Sequence, residues 1–311
     1  MSPAEPAGGE PDSPEATPVG EAAPDEERQS TPFLVLQFFI FPMAIVAVCV
    51  TVFVVFGLIA AEGRGAREYL DEIRTGGANR RWQAAFELSR LIQSGSDPAL
   101  RDPLFVAQAV SLFEDAERDD PKVRRYLALA LGRIGDPRAV PVLREAATAS
   151  GDAETRIFAT WALGSIADPT ALEDLLELAG AADVGLRKTA VHALGSFAAE
   201  AEVREALAAA LRDPAPDVRW NAAVALGRAG DARAIPVLRR MLDRDQLGAV
   251  PEITPPQVES AMLQAVAAAA VLGSSELRED LERLRANDPS LKVREAARVA
   301  LGSLPEPAAS P

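Results

Sequence analysis

The chain contains one histidine, His192, and one cysteine, Cys49, and this limits the chemistry open to it. A zinc site built from four cysteines, or from two cysteines and two histidines, needs more ligands than these, and a disulfide needs a second cysteine, so all three are excluded. His192 falls in the second half of a helical motif, VHALG, with no metal partner or nucleophile patterned beside it, and reads as a helix-surface residue. Cys49 lies within an uncharged apolar stretch, far from any base that would lower its pKa, and reads as inert. The acidic run EDAERDD, Glu114 to Asp120, lacks the Asp/Gly loop of an EF-hand and reads as a solvated helix end. These residues assign no catalytic group, metal or cofactor, and the chain is expected not to be an enzyme. With 46 Asp+Glu against 32 Lys+Arg, a net charge of −14, it is not expected to grip nucleic acid either.

The residues best suited to recognition are aromatic and basic, and they recur at fixed positions. The segments VRRYLALALG (Val123 to Gly132), TRIFATWALG (Thr155 to Gly164), LRKTAVHALG (Leu186 to Gly195), VRWNAAVALG (Val218 to Gly227) and VREAARVALG (Val293 to Gly302) are variants of one motif. The first four glycines are 32, 31 and 32 residues apart, a period that signals stacked units too small to bury their apolar faces alone. Val218, Ala222, Ala225 and Leu226, like Val123, Leu127, Ala130 and Leu131, recur at i, i+4, i+7 and i+8, the spacing of one helical face. The Gly after Leu is the expected helix stop. Asp136-Pro137, Asp168-Pro169 and Asp231 then offer N-caps for a restart, so each unit reads as a helical hairpin. Residues seven and three before each glycine lie about 200° from the core face. They are Arg125 and Leu129, Ile157 and Trp161, Lys188 and His192, Trp220 and Val224, with Trp82 and Phe86 in a looser first unit, and all three Trp of the chain fall on this stripe. An exposed stripe of Trp and Arg is the composition that dominates interface energies, so these residues are the candidate partner-binding set.

The motif, seen most fully as VRWNAAVALGRAGDARAIPVL, resembles the HEAT-like repeats of the phycobilisome-lyase type over about Arg80 to Leu304. The resemblance implies an all-α fold, an α-solenoid of the HEAT-like or armadillo-like kind, whose second helices line a concave protein-binding surface. It implies that Arg124, Arg156, Arg187, Arg219 and Arg294, eight residues before each glycine, bond between neighbouring repeats. The turn acids Asp152, Asp183, Asp213 and Asp288 stand at variable offsets, which argues against a continuous ladder. From Gly227 to Gly273 is 46 residues, and the excess falls in Asp243 to Gln257, whose Pro251, Pro255 and Pro256 are read as forbidding helix. Enzymatic relatives are less well matched. The His-Glu dipeptides that supply iron ligands in deoxyhypusine hydroxylase do not occur. A DNA-binding relative of the alkylpurine glycosylase kind would need a basic groove, and a phycobilin-type lyase or isomerase works as a soluble partner of its acceptor.

From Thr31 to Ala61 there is no charged residue, and 20 residues from Pro42 at 1.5 Å each would cross a bilayer core of about 30 Å. The expected organisation is a disordered acidic tail (1–30), a transmembrane helix (31–61), a juxtamembrane helix and linker (62–79), the solenoid (80–304) and a disordered C-terminal tail (305–311). Arg64, Arg67, Arg74, Arg80 and Arg81 outnumber the single Arg28 before the span, which places the repeat domain in the cytoplasm and the tail outside an inner membrane. The chain is therefore expected to be a membrane-anchored scaffold that recruits a membrane-associated protein partner, with no small-molecule substrate. An accessory subunit of a transport or respiratory membrane complex is the alternative. The Arg-rich, Lys-poor usage points to a bacterial source.

Overall fold

The structure is a computed structural model of the chain and describes residues 40–60, 64–95, 97–118 and 120–305. Residues 1–30 of the expected N-terminal tail, residues 306–311 of the expected tail at 305–311, and the first part of the expected span lie outside the described residues. Two compact units are present, Met1–Gly63 and Arg64–Pro311.

In the first unit, α1 spans Phe41–Ala60. Every side chain described on it, Phe41 to Val55, is exposed, including Phe41, Met43, Val46, Val48 and Phe53 around its whole circumference. Among the described residues no helix is long and apolar enough to cross a membrane. Side chains of α1 are described only through Val55, so the end of the uncharged run lies outside that statement.

The second unit is all-helical, with no strand among its described residues. Its helices pair in chain order: α2 (Ala66–Thr75) with α3 (Ala78–Ser94), α4 (Pro103–Asp115) with α5 (Pro121–Ile134), α6 (Val140–Ala149) with α7 (Ala153–Ile166), α8 (Leu172–Leu178) with α9 (Val184–Leu194) and α10 (Ala201–Ala210) with α11 (Pro216–Arg228). Then α12 (Ile235–Met241) pairs with α14 (Pro255–Leu272) around a short α13 (Arg244–Gly248), and α15 (Arg278–Asn287) with α16 (Leu291–Ser303). The second helices α3, α5, α7, α9, α11, α14 and α16 pack in series. The solenoid begins earlier than residue 80: α2, expected as a juxtamembrane helix, buries Ala66, Leu70 and Ile73 and packs on α3.

The periodic residues form the core. Val123, Leu127, Ala130 and Leu131 are buried, as are Val218, Ala222, Ala225 and Leu226. Asp136, Asp168 and Asp231 cap as expected, each accepting the N–H two residues on at 2.9 to 3.0 Å. They open a single 3-10 turn that leads into α6, α8 and α12.

The glycine of the motif has a different role from the one its position suggests. It does not end the helix: α5, α7 and α11 run past Gly132, Gly164 and Gly227, and only α9 stops there. The left-handed residues stand three positions later, at Gly135 (φ 75°), Ala167 (φ 56°) and Gly230 (φ 75°). The motif glycine instead admits the next second helix. A Cβ at Gly132 would lie 2.7 Å from the Cα of Ala162, one at Gly164 would lie 2.6 Å from the Cα of Ala193, and one at Gly227 would lie 3.1 Å from the Cβ of Ala268. The contacted Ala sits two residues before the next motif glycine, which makes Ala270 the equivalent position in α14. Gly273 (φ 67°) is then a helix-ending residue like Gly135, and the sequence register drawn through it is three residues out.

Replacing Gly164 by Ala places a methyl group where backbone already stands, and is expected to destabilise the protein by about 1–3 kcal/mol. Gly302, in the last second helix, meets nothing within 4 Å, so Gly302→Ala is expected to stabilise it by roughly 0.5–1 kcal/mol through helix propensity. Ala167→Gly is expected to add about 1 kcal/mol by relieving the left-handed backbone. Urea denaturation of the three variants checks all three signs.

Candidate functional site

The turn between the two helices of a repeat presents an acid that satisfies backbone and receives an arginine from the repeat before. Asp152 accepts the Thr155 N–H at 2.8 Å and both arms of Arg125 at 2.9 and 2.7 Å. Asp213 accepts the Ala215 N–H at 2.8 Å and Arg187 at 2.8 and 3.1 Å. Asp288 accepts the Ser290 N–H at 2.9 Å and Arg244 at 3.0 and 2.8 Å. Two-pronged guanidinium–carboxylate pairs of this kind fix orientation as well as charge. The Arg125 guanidinium, in hydrogen-bond contact, holds the Asp152 carboxyl well below the usual carboxylate range, and the hydrogen bond from Arg187 lowers the pKa of Asp213.

Of the arginines eight before the motif glycine, only Arg187 makes such a cross-repeat rung. Arg156 donates to the Ala147 carbonyl at the end of α6, and Arg219 to the Asp213 and Pro214 carbonyls beyond α10. Arg187 also bonds the Ala181 and Ala182 carbonyls. These carbonyls lie in the last turn of a helix or just beyond it and lack intrahelical donors, which is why a half-buried arginine recurs beside them. Arg124 is buried against the Phe113 ring, 5.1 Å from its centroid, and lies 3.7 Å from Glu117. Arg294 makes no ion pair among the described residues. The Asp183 turn receives no arginine rung among the described residues, so the ladder is discontinuous.

The stripe is half-buried rather than free. Trp82 lies under the Lys122 ammonium at 5.2 Å, and Phe86 meets Tyr126 edge to face at 5.2 Å, both contacts reaching the next repeat. Arg125 is held by Asp152 and Glu154, Ile157 packs toward Gly185, Trp161 toward Gly132, and Lys188 pairs with Asp217 at 3.2 Å. Val224 does not face away from the partner helices. It is buried, because α11 is packed by α9, α12 and α14 together. His192 is open to solvent at one edge although neighbouring atoms crowd it; that partial loss of hydration, then the Arg228 charge, lowers its pKa.

Two stripe residues enter a real recess. Lys188 and Trp220 line a cavity of about 440 Å³ with Asn221, Val250 to Ile253 of the insertion, and Gln257, Ser260 and Gln264 of α14. The insertion is folded, contrary to the reading of its prolines. Asp243 accepts the Asp245 and Gln246 N–H groups at 3.1 Å and starts α13, which ends before Pro251. Pro255 and Pro256 occupy the first turn of α14, where a missing N–H costs nothing, and Gln257 accepts the Thr254 N–H at 2.8 Å. Leu247 anchors the segment in the core. Glu252, at the recess, is one of two non-glycine residues with positive φ (64°) among the described residues. Sequence reading singled out the insertion but not Arg244, whose signal was the absence of an arginine in α14 at the rung position.

Because Arg187 depresses the Asp213 pKa, this pair contributes stability that is present above about pH 4, the unfolded carboxylate value, and is lost as pH falls through the lower folded value. Asp213→Asn is expected to lower Tm at pH 7, with the gap to the unmodified protein closing toward pH 3. Thermal melts at the two pH values check this.

Comparison with known proteins agrees with this geometry. A family profile described as HEAT repeats matches residues 110–195 and 179–250. No curated protein sequence matches the chain. Among solved structures, the complex of CpcE and CpcF of phycocyanin lyase from Nostoc sp. PCC7120 is 18% identical, covering 78% of this chain and 95% of that one, with a TM-score of 0.54. Human deoxyhypusine hydroxylase in complex with glycerol is 20% identical over 76% of this chain and 96% of that one, at a TM-score of 0.33. A designed armadillo repeat protein in complex with the peptide (KR)4 is 16% identical over 76% of this chain and 98% of that one, at 0.41. Residues 110–250 thus match HEAT repeats, and the second unit shares the helical solenoid fold of the phycocyanin lyase complex.

Proposed function

We propose that this chain is a non-enzymatic scaffold that recruits a protein partner at a membrane through the stripe-bearing face of its solenoid. The observation that carries this reading is the recess at Trp220, where an insertion folds against the stripe and leaves a Trp, a Lys and several amides together. Half-buried Trp in a pocket is the arrangement of an interface anchor, since the ring is held rigid before binding. The phycocyanin lyase structure is itself a complex of two chains, which supports the use of such a fold to bind protein.

The anchor would be the uncharged run to Ala61. Its support is the absence of charge from Thr31 to Ala61 and the exposure of apolar side chains on every face of α1 through Val55, a distribution that water does not favour. The excess of arginines after it favours a solenoid on the cytoplasmic side.

A photo-crosslinking residue at Gln264, which lines the recess, should capture a discrete protein adduct from native membranes, whereas one at exposed Glu279 should not. Equal labelling from both positions, or none, would contradict the proposal. In sealed right-side-out vesicles the solenoid should resist added protease. Its digestion from the outer face would reverse the topology.

A further inference from the structure

A second recess lies beside the turn ends of α10, α11 and α12, with a volume of about 950 Å³. Four arginines line it, Arg212, Arg219, Arg233 and Arg240, against two acids, Glu205 and Asp213. The acids are already engaged: Asp213 by both arms of Arg187, and Glu205 by Arg233 at 2.9 Å. Arg233 also grips Asp231. Arg219 bonds only neutral carbonyls, and Arg212 and Arg240, both exposed, make no side-chain hydrogen bond or ion pair among the described residues. Counting the engaged groups as well, five guanidinium groups (Arg187, Arg212, Arg219, Arg233 and Arg240) meet three carboxylates (Glu205, Asp213 and Asp231), which leaves two positive charges in excess at one place in a chain of net charge −14. Arg212 follows the end of α10 and Arg240 stands in the last turn of α12, so each is individually favoured by a helix C-terminus, but their convergence is not.

We propose that this recess binds a phosphate group carried on a larger, partly apolar molecule. An excess of two positive charges is more than one carboxylate neutralises, whereas a phosphate monoester carries about −1.5 to −2 and three acceptor oxygens, which the planar guanidinium fork matches in pairs. The volume exceeds that of a phosphate, and Leu211, Pro236 and Val237 add an apolar wall for the remainder of the ligand. A phospholipid headgroup and a free phosphorylated compound share this chemistry.

The test is calorimetric titration of the full-length, detergent-solubilised protein with inorganic pyrophosphate and, separately, with a short-chain water-soluble phosphatidic acid, at fixed ionic strength. Saturable binding of at least one probe is expected, weakened at least ten-fold in Arg212→Gln/Arg240→Gln. Neither side chain makes a hydrogen bond or ion pair among the described residues, so the double variant and both single variants should stay folded, with Tm lowered by no more than a few degrees through the lost helix-end charges. Stronger binding of the phosphatidic acid would assign a lipid headgroup, and equal or stronger binding of pyrophosphate a free phosphate compound. No saturable binding of either probe, or binding undiminished in the double variant, would overturn the site.

Discussion

In the middle of the stack, between α5 and α7 and between α7 and α9, second helices approach until there is no room for a side chain between them, and the order of the solenoid is built around that approach. At Gly164 the backbone of α9 occupies the place of a Cβ, and the same relation recurs between Gly132 and Ala162. Contacts this close require glycine on one helix and alanine on the other, which accounts for an alanine-rich core and for the scarcity of large aromatic residues. The attraction is dispersion summed over many atom pairs, so it tolerates little displacement. The central repeats are thereby placed relative to one another by sterics, and the Arg125–Asp152 rung acts on helices whose spacing is already set.

The insertion is where this regularity comes under most strain, and it is absorbed rather than looped out. α14 has Met262 and Leu263 where α5 and α9 have the arginines of their rungs, yet the turn acid of the last repeat, Asp288, is still paired. Arg244 of the insertion reaches it with both arms, and the Asp288 side chain is 1% exposed. Leaving that carboxylate unpaired would cost more than the pair returns, because a buried charge without a partner loses its hydration for nothing. The same segment then supplies one wall of the Trp220 recess. A structural repair and a candidate binding site are thus made by one stretch of chain.

Much of this was legible in the residues. Spacing at i, i+4, i+7 and i+8 identified the second helices and their buried faces, and Asp before Pro located the starts of the first helices. The motif glycine was misread because two signals three residues apart, Gly132 and Gly135 for example, compete for the role of helix stop. Only the neighbouring helix, which a single-helix pattern does not contain, distinguishes close packing from chain termination. The burial of Val224 and the half-burial of the tryptophans have the same origin, since a helical wheel marks the face turned from the partner helix but not the repeats on either side. Of the prolines in the insertion, Pro251 stands after the end of α13, and Pro255 and Pro256 begin a helix rather than forbid one. Arg244 was invisible because its partner is 44 residues away.

The solenoid is on this view a single continuous stack, with the insertion as a member rather than an appendage. The continuity is tested most directly by a double-mutant cycle on Arg244→Gln and Asp288→Asn, followed by urea denaturation of the full-length protein. A coupling of about 1–3 kcal/mol is expected if the insertion holds the last repeat. Effects that add to within about 0.5 kcal/mol would show the insertion to be energetically separate from the stack, and would contradict it.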